Sequence, residues 1–218
     1  MAGYGHNLAA LLARMARRVE RTGSRGGLHH DQTPRQPRND PVAGQKALRA
    51  RRRAERLLTQ AQALLAQAGC TLRDLDAIVF GRGPGSFTGL RTACAVAQGL
   101  AYGSRSAAHP HGLPVLAVDT LLALAEQARA AHAAEGLPAP AHIVALLDAR
   151  MDEAYVAVYA LDGTALRETE PPRLCAPQDL APWLASAGLD ADRTLLAGNV
   201  FDVHASRLQD LRGARRPA

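Results

Sequence analysis

Over residues 48–68 the apolar positions advance by three and four. Ala54, Leu57, Leu58, Ala61, Leu64, Leu65 and Ala68 form one stripe, while Arg51, Arg52, Arg53, Glu55, Arg56 and Gln60 lie mostly off it. That period predicts a helix, and Gly69 closes it. The period then shortens: residues 76–80 are apolar, β-branched or aromatic after Asp76 and predict a buried strand, which Gly81, Gly83, Pro84 and Gly85 stop in a sharp turn. Thr88 is the predicted N-cap of a second helix that runs to about Tyr102 and ends at Gly103. Beyond it the chain reads as strand 114–118, helix 120–135, strands 142–148 and 154–160, helix 177–187 and strand 194–197. In 142–160 both alternating sets are apolar, Ile143, Ala145 and Leu147 against Val144 and Leu146, so the sheet there is expected to be covered on both faces. Strands alternating with helices give an α/β class.

A strand, a glycine turn and a helix often hold phosphate in α/β proteins, because free amides at the helix start point into the turn. The turn here is Gly83, Pro84, Gly85, Ser86, Phe87, Thr88, Gly89 and Arg91. No Gly-Lys-Ser/Thr follows the glycines, Ser86 stands where a dinucleotide fingerprint needs its third glycine, and Pro84 stands where a nucleophile elbow needs its first. Ser86 is therefore expected to be a turn residue bonding its own backbone, not a nucleophile. The following helix carries Gly89, Ala93, Ala97 and Ala101 at every fourth position, a face that another helix can approach closely. Spacing leaves open whether that partner lies in the same chain.

The string GRGPGSFTGLR over 81–91, followed by a small-residue helix, resembles the TsaB (YeaZ) family, the bacterial accessory subunit for threonylcarbamoyladenosine (t6A) formation in tRNA. Other pieces stand in family order: Ala54-Glu55-Arg56-Leu57-Leu58 opening a helix, Asp119-Thr120-Leu121 where a second domain starts, Asp148-Ala149-Arg150-Met151-Asp152-Glu153-Ala154-Tyr155, and Gly198-Asn199. The resemblance runs over about residues 53–199. It implies a divergent member of the actin-like, Hsp70-like ATPase superfamily, built of two RNase H-like domains, without catalytic residues, cofactor or metal of its own. A nucleotide at a partner interface stays open. The implied partners are TsaD, which transfers the threonylcarbamoyl group to adenosine 37 of tRNAs reading codons that start with A, and the ATPase TsaE, with tRNA engaged indirectly. A homodimer is open where TsaD is absent. Docking through the first two helices would use Leu57, Leu58, Ala61 and Leu65 on one and Gly89, Ala93, Ala97 and Ala101 on the other.

Asp148 matches the second phosphate-binding turn of that superfamily, and with Asp152 and Glu153 it offers hard oxygen ligands for a divalent ion. A first-domain carboxylate to complete an ATP–metal site is not found, so turn and salt-bridge roles are expected. The histidines His29, His30, His109 and His111 sit in Pro/Gly-rich stretches without zinc-site spacing. The alternative function class is an enzyme, an actin-like ATPase or a glycoprotease-like hydrolase.

Composition alters one part of this reading. The 218 residues carry a net charge of +6, but residues 1–53 hold 12 of the 26 basic residues and only three acids, leaving 54–218 at −3. Any RNA contact is then expected from the arm or from a partner. Cys70, Cys94 and Cys175 offer neither a disulfide framework nor a metal motif, and no apolar stretch reaches the length of a membrane span, so a cytoplasmic protein is expected. Residues 1–47 form a basic arm that, over 21–45, is Gly/Pro-rich and lacks a hydrophobic period; 48–108 are a partial N-terminal RNase H-like domain lacking its leading strands, and 109–218 a C-terminal one that stops short. One lysine against 25 arginines points to GC-rich coding, and a frame or start-site error upstream of about residue 50 is the expected origin of the arm.

Overall fold

The computed structural model describes residues 41–107, 109–208, 210–211 and 213–216, so the expectations for residues 1–40 lie outside the described residues. The described residues divide into two compact units, one from 41–80 with 91–116 and the other from 81–90 with 117–216. The division thus falls after residue 116 instead of at 108, and the glycine turn groups with the second unit.

In the first unit, helix α1 (Pro41–Gln67) begins seven residues before the apolar period does, on a proline whose fixed φ suits a first helical position. It ends as the sequence predicts: Gly69 has φ +67°, its amide donates to Ala66 O (3.2 Å) and the Cys70 amide to Leu65 O (3.1 Å), the paired bonds of a Schellman cap. Along the chain strand β1 (Ile78–Gly83), helix α2 (Phe87–Gly103) and strand β2 (Val115–Asp119) follow, each with residues assigned to both units, and β1 and β2 pair in a two-stranded sheet. Because α2 starts at Phe87, Thr88 lies inside its first turn and is not the N-cap. The core gathers Ile78, Ala97, Ala101 and Leu113, with Leu72, Leu75, Phe80 and Leu100 packed on it. At the end of α2 the buried Ser104 hydroxyl donates to Ala101 O (2.6 Å) and accepts from the Leu113 amide (2.9 Å). Gly112, at φ +86°, runs so close that a Cβ there would lie 2.0 Å from Ala101 O.

The second unit is built on strands β3 (His142–Arg150), β4 (Glu153–Asp162), β5 (Ala165–Cys175), β6 (Thr194–Ala197) and β7 (Ala214–Arg216), with helices α3 (Thr120–Ala134), α4 (Leu180–Ser186) and α5 (Val200–Val203). The sheet order is β5-β4-β3-β6-β7. β4 runs antiparallel to β3 and β5, whereas β6 is parallel to β3 and β7. Both faces are covered, as the double apolar alternation predicts. Val144, Leu146, Val156, Val158 and Leu196 meet Leu180, Leu184 and Val200 on one side; Ile143, Ala145, Ala157, Tyr159 and Leu195 meet Leu121, Ala125 and Ala128 on the other. The predicted helix 177–187 is a 3-10 turn (Pro177–Asp179) continuing into α4. The sequence does not predict β5, whose middle reads Arg167-Glu168-Thr169-Glu170-Pro171-Pro172-Arg173. Among the described residues it pairs on one side only, and the register shifts between Val156, opposite Arg173, and Val158, opposite Glu170, where the two prolines sit.

Candidate functional site

Three places carry the residues singled out by sequence. The first is the glycine turn. Gly83 is buried at φ +110°, and a Cβ there would meet Leu90 Cδ1 at 3.0 Å, so only glycine fits without displacing that leucine. The Leu90 amide donates to Ser86 O (2.9 Å), opening α2. Ser86, Phe87, Thr88 and Arg91 are exposed, and Pro84, Gly85 and Gly89 half-buried.

The second place is the pair of helices. On α1, Leu57 is 38% exposed, Leu58 37% and Leu64 64%, with Ala61 and Leu65 half-buried. The ridge on α2 turns inward instead: Ala97 and Ala101 are 3% and 8% exposed, in the core with Ile78 and Leu113, while Gly89 and Ala93 are half-buried. Ala97 and Ala101 thus pack within their own unit. Their small side chains let the α2 backbone lie close to β1, the alternative that spacing leaves open.

The third place is the end of β3. The Asp148 amide donates to Asn199 Oδ1 (2.9 Å); its carboxylate Oδ1 accepts from the Arg150 amide (3.1 Å) and lies 3.2 Å from His204 Nε2. Asp152 pairs with Arg207 at 3.2 Å. These contacts hold a hairpin tip in which Arg150, Met151 and Asp152 all take left-handed φ (64°, 51° and 62°). Among the described residues no group of three or more His, Cys, Asp or Glu side chains is placed to hold a metal ion. Gly198, at φ +140°, brings the backbone so close to β3 that a Cβ would lie 1.7 Å from Leu146 O. That approach is what lets Asn199 reach Asp148.

Sequence reasoning missed His204, a lone histidine 56 residues from its carboxylate, and gave Gly198-Asn199 no physical role. It also left Asp119 unexplained. Asp119 caps α3, its Oδ1 accepting from the Leu121 and Leu122 amides at 2.9 and 3.2 Å, a role that an Asp-Thr-Leu start to an apolar run signals. Near it the Tyr159 hydroxyl is buried without a hydrogen-bond partner of good geometry. Burial first, then the negative charges of Asp119 and Glu168, raises its pKa well above the ordinary value, against a smaller opposing pull from Arg82. Above about pH 10 the unfolded chain releases this proton while the folded chain keeps it, so stability should fall with rising pH. Tyr159→Phe should remove that loss and leave neutral stability unchanged or raised by about 1 kcal/mol, because no hydrogen bond is lost. Thermal melts at neutral and strongly alkaline pH check this; equal alkaline losses in both proteins would refute it. No helix among the described residues is long and apolar enough to cross a membrane.

A family model described as "TsaD: tRNA N6-adenosine threonylcarbamoyltransferase" matches residues 47–210. A Haemophilus influenzae protein named tRNA threonylcarbamoyladenosine biosynthesis protein TsaB is 42% identical over 108 residues, 50% of this chain and 40% of that one. The Escherichia coli protein of the same name is 37% identical over 123 residues, 55% of this chain and 48% of that one. The chain thus spans about half the length of these curated relatives. The solved structure of YeaZ from Pseudomonas aeruginosa superposes with a TM-score of 0.57 at 36% identity, covering 75% of this chain and 68% of that one. The fold is accordingly of the actin-like, RNase H-like ATPase type. These matches agree, and the chain belongs to the TsaB (YeaZ) family.

Proposed function

We infer that this chain is a non-catalytic accessory subunit that pairs with TsaD, with TsaE as a third member, in the cytoplasmic threonylcarbamoylation of adenosine 37 in tRNA. The observation that carries the reading is the unpartnered stripe of α1. Leu57, Leu58 and Leu64 are large apolar side chains left partly in water along one helix face, on a chain whose relatives are named for t6A biosynthesis. The two units are read as the two RNase H-like domains, the first without its leading strands. Asp148 supports a non-enzymatic role, because its carboxylate is already engaged by His204 and the Arg150 amide.

The test is co-expression with TsaD from the same organism and size-exclusion chromatography. A stable heterodimer is the expected result. Two separate peaks, or a homodimer that excludes TsaD, would sink the pairing. Nucleotide hydrolysis separates the enzyme alternative. No turnover dependent on Asp148 is expected, whereas Asp148→Ala should lower stability by about 1–3 kcal/mol by leaving the buried His204 ring without its partner. Metal-dependent hydrolysis abolished by Asp148→Ala would make the chain an ATPase.

A further inference from the structure

Basic charge is segregated between the two units. Residues 41–80 and 91–116 carry nine Lys and Arg against Glu55, Asp74 and Asp76, a net +6, whereas residues 81–90 and 117–218 carry ten against fourteen acids, a net −4. Two of the three acids in the first group are already engaged. Glu55 Oε1 accepts from Arg51 Nε at 2.8 Å, and Asp74 Oδ2 accepts from the Thr71 amide and hydroxyl at 2.7 Å each. Residues 41–218 together stand at +2, and the −3 of residues 54–218 leaves out Lys46, Arg49, Arg51, Arg52 and Arg53, which carry most of this local excess.

The excess has a geometry. Arg52, Arg53 and Arg56 are exposed on α1 and spaced by one, three and four, so they leave the helix on one side. At about 100° per residue this side lies roughly a third of a turn from the leucine stripe, so one helix presents an apolar face and a separate arginine face. Arg52 to Arg56 spans about 6 Å of helix axis, and with the reach of their long side chains the three guanidinium groups can each meet a separate phosphate. Guanidinium forks bind phosphate oxygens bidentately, and arginine side chains are weakly hydrated and readily stripped of water. The neighbouring stripe is all alanine and leucine, without the Trp or Phe anchors of many helices that lie in a lipid interface.

We propose that the arginine face of α1 contacts the phosphate backbone of RNA directly and without sequence preference, a contact that rests on the tRNA-modification reading above. It differs from that reading in making this chain, and not only its partners, part of the tRNA-binding surface. The leucine face and the arginine face then serve two ligands at once, a protein on one side and a polyanion on the other.

The experiment measures binding of the full chain to unmodified bulk tRNA by fluorescence anisotropy across a salt series, for the wild type, R52Q/R53Q/R56Q and R52K/R53K/R56K. Removing three phosphate contacts should reduce the slope of log K against log salt by about 2–3 and weaken binding near physiological salt roughly tenfold or more. The lysine variant keeps the charges and should keep the slope. Residues 1–40 are the same in all three proteins, so the difference reads α1 alone. An unchanged slope in the glutamine variant overturns the proposal. So does binding to phosphatidylserine vesicles that exceeds tRNA binding and is lost in that variant, which would make the face a lipid surface. Pairing with TsaD is measured on the same proteins: pairing with an unaltered slope rejects the RNA contact alone, while absent pairing rejects the accessory-subunit reading and leaves the slope to decide the arginine face.

Discussion

Gly198→Ala is expected to leave the second unit unfolded at physiological temperature. A Cβ at this position would lie 1.7 Å from Leu146 O, a backbone atom in the middle strand of the sheet, and 3.3 Å from Leu124 Cδ2. The Leu146 carbonyl cannot yield. Leu146 is fully buried, and β3 is held between β4 and β6. The φ of +140° adds strain for any side chain. Together these put the cost at about 4 kcal/mol or more, in the range where a single change removes most of a domain's stability. Gly188→Ala is the matched control, because that glycine has φ +67° but no atom within 4 Å of its Cβ position, so only about 1–2 kcal/mol of left-handed strain applies. Circular dichroism melts of the two variants distinguish steric exclusion from backbone preference. A Gly198→Ala protein melting within a few degrees of the wild type would mean that β6 does not approach β3 this closely.

The second large effect concerns binding. Leu57→Asp with Leu58→Asp should abolish co-purification with TsaD while leaving the monomer's melting temperature nearly unchanged. Each leucine is already more than a third exposed, so a charge there is tolerated in the free chain. In a complex the same positions would bury the remaining exposed part of each leucine, roughly 0.5–1 kcal/mol apiece, whereas an aspartate there would have to be stripped of water at a cost of several kcal/mol, on the order of a buried unpaired charge. A loss of at least a hundredfold in affinity follows, read by pull-down and by isothermal titration. Undiminished pairing would move the docking surface off α1. The variant Ala97→Trp is not an equivalent probe, because Ala97 is packed against the core of its own unit and a tryptophan there tests folding.

Much of this was legible along the chain, for a physical reason. β3, α3 and β6 lie within a residue or two of their predicted bounds, because strands buried on both faces and an amphipathic helix beside them leave strong, unbroken apolar runs. β5 was not legible: a strand with one neighbour and bulged pairing tolerates Glu168, Glu170 and two prolines, so it reads as loop. The four-residue spacing of Gly89, Ala93, Ala97 and Ala101 specifies close approach but not the approaching partner, so only packing could assign Ala97 and Ala101 inward. Asp148 poses the same difficulty at longer range. Its partners Asn199 and His204 lie 51 and 56 residues away, and nothing local distinguishes a ligand-binding aspartate from one tied to its own fold.

The two prolines of β5 have a consequence for how the protein behaves in concentrated solution. A strand with a single neighbour presents its other side as a row of amide donors and carbonyl acceptors, a template onto which a further chain can crystallise as in an amyloid ladder. Pro171 and Pro172 bring no amide donor to a strand whose successive amides face opposite edges, so that row is interrupted there, and the shifted register beside them breaks its rhythm. Association of this protein with itself should therefore begin at the leucine face of α1 and not along the five-stranded sheet, so that agents which mask apolar side chains would keep it dispersed where agents that compete for backbone hydrogen bonds would not.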